Sequence, residues 1–122
     1  MHFCEVSYED MLPFGDDYRV ILHEPDGKRK YYAMKNDADQ IVACLELLIT
    51  KHDIHFNCVF VPEQYRGNGY AYRLLMWILF EYKGMSASAQ CNDWSIKTFL
   101  KAGFHVERTK QFKYWTAYYV RK

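Results

Sequence analysis

Proline and glycine are scarce, with three and six residues among 122, which rules out a low-complexity or collagen-like chain. The four cysteines, Cys4, Cys44, Cys58 and Cys91, form no C-x-x-C pair, so zinc-ribbon and thioredoxin-type readings fall away. No secretory leader is recognisable in Met1-His2-Phe3-Cys4-Glu5. The thiols are therefore expected to be reduced and buried, in a cytoplasmic protein. No apolar run reaches the roughly 18 residues that a membrane-spanning helix needs. Neither sign of charge dominates: 16 Lys and Arg stand against 15 Asp and Glu, which argues against a general nucleic-acid binder. The five histidines are scattered, and His52 and His55 lack a helical H-E-x-x-H setting. No metal is expected.

What is present is apolar material: 50% hydrophobic residues and 18% aromatics, enough for one domain over residues 1–122 built around one core. Residues 2–7 alternate weakly as a first strand. Residues 8–30 are mixed and polar, with turn signals at Pro13-Phe14-Gly15-Asp16 and Glu24-Pro25-Asp26-Gly27. Tyr18 to His23 reads equally as a strand or a short helix. From Tyr31 the pattern sharpens into strands at 31–35, 40–50 and 54–61, joined by short polar turns as an antiparallel meander. Leu74, Leu75, Ile78, Leu79 and Tyr82 repeat with helical period, so 71–82 is a helix. Met76, Trp77 and Phe80 add a second apolar face, which predicts cover on most sides. A strand at 85–91, a helix at 94–102 and strands at 104–108 and 112–121, linked by Thr109-Lys110-Gln111, complete the chain. The order is β-β-β-β-α-β-α-β-β, an α/β fold with a mixed, mostly antiparallel sheet flanked by helices.

The stretch Val61-Pro62-Glu63-Gln64-Tyr65-Arg66-Gly67-Asn68-Gly69-Tyr70-Ala71 leads from a strand through a glycine turn into the long helix. A helix start leaves N–H groups unpaired and favours negative charge. Gly67 and Gly69 allow positive φ and a close approach to the main chain. Such a turn suits a pyrophosphate. A Walker loop is excluded because no Lys-Ser or Lys-Thr follows, and a dinucleotide fingerprint because Tyr72 holds the third glycine position.

What remains is R-x-x-G-x-A over residues 66–71, which resembles the acyl-CoA pyrophosphate loop of the GNAT family of N-acyltransferases. A second block, Asn92-Asp93-Trp94-Ser95-Ile96-Lys97-Thr98-Phe99-Leu100-Lys101-Ala102-Gly103-Phe104, resembles that family's later motif, N-x-x-A-x-x-x-Y-x-K-x-G-F. The likeness covers roughly residues 31–122. The ending also faintly resembles a bacteriophage virion family with a degenerate form of the fold.

The resemblance implies an N-acetyltransferase that moves acetyl from acetyl-CoA to a primary amine of a small molecule or protein. The alternative it leaves open is a catalytically weak binding or structural relative. It implies that the strand ending in Phe60 and Val61 pairs with the pantetheine arm and splays from 85–91, where the small side chains of 86–89 suit a gap. Cofactor contacts are expected from Phe60, Val61, Arg66, Gly67, Asn68, Gly69, Tyr70, Ala71 and Asn92. Arg66 would contribute its main-chain N–H as much as its guanidinium, and Asn92 would either touch the cofactor or cap the next helix. Glu46, central in an apolar strand, and His55 are the catalytic candidates for deprotonating the amine. The family's general-acid tyrosine is Phe99 here, with Tyr114, Tyr118 and Tyr119 as substitutes by position. GNAT proteins carry two helices between their first strands, and this chain has room for little of that. The helix at 71–82 and the aromatic tail could serve a homodimer.

Overall fold

The computed structural model describes residues 1–18 and 22–122, leaving aside the side chains of residues 16–18. The first strand, His2–Val6 (β1), ends at Ser7, and there a reciprocal cap starts a helix. The Asp10 N–H donates to Ser7 Oγ at 3.1 Å, and the Ser7 N–H donates to Asp10 Oδ2 at 3.0 Å. Two donors without intrahelical partners are satisfied at once. The result is a helix over Tyr8–Tyr18 (α1) with Pro13 inside it, where the sequence reading placed irregular chain and a turn. Proline inside a helix costs about 3 kcal/mol or more. Packing offsets this: Met11 is buried in a cluster with Tyr31, Ala33 and Cys44, and Phe14 packs beside Phe60. Half of the stretch Tyr18–His23, read as a strand or a short helix, is residues 19–21, which lie outside the described residues.

The meander is as expected. Arg29–Lys35 (β2), Ile41–Ile49 (β3) and Asp53–Phe60 (β4) pair antiparallel in turn. The β2–β3 turn is drawn tight by Asn36 Oδ1, which accepts from the N–H groups of Ala38 and Gln40. A bulge at Glu46/Leu47 skips Asn57 in the β4 register. After the glycine turn come Tyr70–Glu81 (α2), Ser86–Cys91 (β5), Ile96–Lys101 (α3), His105–Gln111 (β6) and Thr116–Arg121 (β7). The seven strands form one mixed sheet in the order β1-β2-β3-β4-β5-β7-β6. The expected α/β architecture is present, with α1 added to the predicted order.

The faces of the sheet divide the core. On one, Leu74, Leu75 and Ile78 of α2 and Phe99 of α3 close over Leu45, Leu47 and Phe56. On the other lie Met11, Tyr31, Ala33 and Cys44. Two sequence expectations change here. Helix α2 is not covered on most sides, because Phe80 is 66% exposed and Met76 lies beside solvent. The Thr109-Lys110-Gln111 linker is part of β6, and the turn falls at 112–115. There the Phe112 and Trp115 rings stack at 4.8 Å, and the Phe112 N–H donates to the Trp115 carbonyl. An aromatic clasp, rather than polar composition, sets that turn.

Candidate acyl-CoA site

Strands β4 and β5 run parallel, but their register covers only Asp53–Phe56 against Ser86–Ala89. Beyond it β4 stays with β3 while β5 stays with β7, and a wedge opens between Asn57–Phe60 and Gln90–Asn92. The expected splay is present, though not opposite the small residues. Ser86–Ala89 lie where the strands are still paired, and Ala87 and Ala89 are small because the core under α2 and α3 is tight.

The wedge widens into a cleft of about 1210 Å³. Phe60, Val61, Arg66, Gly67, Gly69, Tyr70, Ala71 and Asn92 line it, as does His55. Asn68 does not: its Nδ2 donates to the Tyr65 carbonyl at 2.9 Å and braces the turn from behind. Glu46 also lies off the cleft wall.

The glycine turn is built as its chemistry requires. A 3₁₀ turn at Glu63–Tyr65 follows Pro62, and then Gly67 (φ +82°) and Gly69 (φ +75°) adopt left-handed conformations. Gly69 caps α2 with no side-chain hydrogen bond to the helix start. Nothing lies within 4 Å of a Cβ built on either glycine, so both face open space. The first N–H groups of α2 thus start from a cap that offers no side-chain acceptor, beside two glycines that face open space, a setting that fits phosphate oxygens. The Arg66 main-chain N–H, expected to share the phosphate contact, donates to the Glu63 carbonyl at 3.2 Å.

Asn92 combines both readings given to it. Its Oδ1 accepts from the N–H groups of Trp94 and Ser95, both at 2.9 Å, which organises the entry to α3. Among the described residues its Nδ2 makes no hydrogen bond, and Asn92 lines the cleft. Phe99 is 2% exposed and packs edge-to-face with Phe56 and Phe104. None of Tyr114, Tyr118 and Tyr119 lines the cleft. Tyr118 donates to Asp93 at 2.7 Å, and Arg108 lies over the Tyr119 ring.

His55 sits in the still-paired part of β4, its Nδ1 2.9 Å from Ser88 Oγ. Burial holds its imidazole below the ordinary histidine value, against the opposing pull of Asp53. Glu46 is fully buried and accepts from three donors: the His23 N–H at 2.7 Å, His23 Nδ1 at 2.9 Å and Arg29 Nη1 at 3.2 Å. Two thiols also reach the cleft. Burial pushes Cys58 up to about 12, helped by Glu46, and pushes Cys91 up to about 12.

Several lining residues escaped the sequence reading: His23, Trp94, Lys97, Lys101 and Trp115. Lys97 and Lys101, one helical turn apart, could have been found as a basic face of α3. With Arg66 they give the cleft three cations, and among the described residues no Asp or Glu lines it. A nearly neutral chain thus has one strongly cationic hollow.

Comparison with known proteins agrees with this geometry. SpeG, a spermidine/spermine N-acetyltransferase from Vibrio cholerae, superposes with a TM-score of 0.78 at 12% identity, over 99% of this chain and 93% of that one. NAA60 of Arabidopsis thaliana, solved with acetyl-CoA, gives 0.77 at 12% identity, over 99% and 97%. The ribosomal-protein-S18-alanine N-acetyltransferase of Escherichia coli gives 0.78 at 10% identity, over 98% and 91%. Identities this low speak for the fold alone. No curated protein matches by sequence, and the phage-type likeness draws no support from these comparisons. Among the described residues, no helix is long and apolar enough to cross a membrane. The sequence matches the Acetyltransferase (GNAT) family over residues 2–104, so the likeness begins well before Tyr31 and takes in the first strand and α1. With the splayed strands and the glycine turn at the start of α2, that match makes this chain a member of the GNAT acetyltransferase family.

Proposed function

We propose that the chain is an acetyl-CoA-dependent N-acetyltransferase acting on a primary amine. The observation that carries this reading is the composition of the cleft. It opens where β4 leaves β5, ends at two left-handed glycines below an uncapped helix start, and is lined, among the described residues, by three cations and no carboxylate. A polyanion with a long neutral arm matches that distribution. Arg66, Lys97 and Lys101 and the N–H groups of 67–71 would hold phosphates. The main chain of residues 57–61, beyond the end of the β4–β5 register, would pair with the amides of the arm, and Asn92 Nδ2 would meet them from the other wall.

Bound acetyl-CoA supplies an activated acyl group as a thioester. The chain's own task is to orient the amine, remove its proton and exclude water. His55 reaches the cleft directly, and Glu46 only through the residues it holds. Phe99 offers no proton, but a thiol of pKa ~8.5 leaves as the thiolate without a strong acid. Phe99 also supports a second reading, a protein that binds acetyl-CoA and transfers it slowly.

Thermal unfolding with and without acetyl-CoA tests the binding half. Ligand at 100 times its Kd should add about 2.7 kcal/mol to stability. Thiol release with polyamine, amino-acid and peptide acceptors tests the transfer half. Protection without thiol release would select the second reading, and no protection would remove both.

A further inference from the structure

The loop before β2 brings His23 to the cleft wall, and its main chain is fixed on both sides. Its N–H donates to Glu46 Oε1 at 2.7 Å, and its carbonyl accepts from the Tyr31 hydroxyl at 2.5 Å. Its ring is fixed as well. Glu46 is fully buried and already accepts from the Arg29 guanidinium. An ionised carboxylate only accepts, so a hydrogen bond between His23 Nδ1 and Glu46 Oε2, 2.9 Å apart, requires the hydrogen on Nδ1. The lone pair then lies on Nε2, which makes no hydrogen bond among the described residues. Asn57 Nδ2 lies 3.0 Å from the same Nδ1 and competes with Glu46 as its partner, and Asn57 is the first β4 residue beyond the last pair with β5. His23 therefore stands where the wedge begins.

From this juxtaposition of a doubly anchored imidazole, a buried carboxylate and the apex of the wedge, we infer that His23 is the general base for the acceptor amine and that Glu46 is its positioning residue. The assignment rests on the transferase reading above. His55 does not compete for the role, because it lies below the apex in the paired register and its Nδ1 is held by Ser88.

The step balances as follows. The acceptor ammonium gives one proton to His23 Nε2, and the resulting imidazolium is paired with Glu46. The freed amine forms a C–N bond at the thioester carbon, the C–S bond breaks, and the sulfur leaves as a thiolate. The surplus proton on the new amide nitrogen goes to that thiolate, and the imidazolium returns its proton to water. The groups facing His23 are Glu46 from β3, Arg29 and Tyr31 from β2, and Asn57 from β4, with Asp26 held 3.3 Å from Arg29.

The test uses the full chain. With an amine that the wild type acetylates, His23→Gln should lower kcat/KM by about a hundredfold or more, leave the Kd for acetyl-CoA within about twofold, and remove the acid limb of the rate–pH profile. Nitrogen-15 NMR of labelled histidine gives a readout that does not depend on turnover. His23 should show the Nδ1–H tautomer, and Glu46→Gln should lose it even where the rate cannot be measured. An Nε2–H tautomer in the wild type overturns the assignment, as does a His23→Gln variant with wild-type rates and an intact acid limb. A wild type that binds acetyl-CoA but acetylates no amine overturns the transferase reading, and this assignment with it. A wild type that turns over alongside an equally active His23→Gln overturns this assignment alone.

Discussion

Arg66 folds back across the glycine turn, its Nε donating to the carbonyl of Val61 at 3.0 Å while its guanidinium carbon lies 5.9 Å from the centre of the Phe60 ring. One side chain at the lip of the cleft thus locks the end of β4 to the start of the turn. Replacing it with alanine should raise the Kd for acetyl-CoA by about tenfold or more, the scale of one lost hydrogen bond to a charged group. Arg66→Lys should recover little, since one ammonium cannot reproduce the planar fork. Calorimetric titration of the two variants checks this; affinity unchanged in Arg66→Ala would place the phosphates elsewhere.

Gly69 separates shape from charge. Its φ of +75° makes any side chain there strained by about 1–2 kcal/mol, yet no atom lies within 4 Å of a Cβ. Without ligand, Gly69→Asp should lose less stability than Gly69→Ala, because a carboxylate at this N-cap complements the open helix start. Only the aspartate sets a negative charge at the helix start, so only it should abolish thermal protection by acetyl-CoA. Equal protection in both variants would refute the position of the pyrophosphate.

His55 should leave a mark on the pH dependence of stability. Burial lowers its pKa in the folded protein, so below about pH 6.5 the unfolded chain takes up a proton that the folded chain resists. The stabilisation from keeping His55 neutral is present above that pH and is lost as pH falls through the folded-state pKa. Urea unfolding from pH 7.5 to 5 should show stability declining, with a shallower slope in His55→Gln. Identical slopes would remove the burial account.

Cys58 and Cys91 line the cleft, but burial pushes both up to about 12. A thiol in that state is a poor nucleophile near neutrality, so the acyl group should pass directly to the amine. Intact-mass measurement after incubation with acetyl-CoA and no acceptor should find no acetyl adduct. One acetyl group on either cysteine would instead indicate a two-step route.

The sequence was most legible where one local signal met no competitor. Asn36 to Asp39 marked its hairpin, and the glycines at 67 and 69 marked the turn before α2. Helix α1 was missed because Pro13 and Gly15 drew attention from the Ser7–Asp10 cap, a pattern of type S-x-x-D visible in the sequence. The turn at 112–115 was misplaced because stacking of Phe112 on Trp115 outweighs polar composition. Site residues on one short segment, such as 66–71, were within reach. His23 was not: its place depends on a hydrogen bond to Glu46, 23 positions away, and no periodicity encodes that. The same limit hid the gathering of Arg66, Lys97 and Lys101 into one cationic hollow.

Four residue pairs, Asp53–Phe56 against Ser86–Ala89, form the strand seam that stitches the β1–β4 block of the sheet to the β5–β7–β6 block. Above that seam the two blocks lean apart like the covers of a half-open book. An amide-bearing arm laid along Asn57–Phe60 would serve as the missing strand, so that the acyl donor itself finishes the spine before its cargo is handed over.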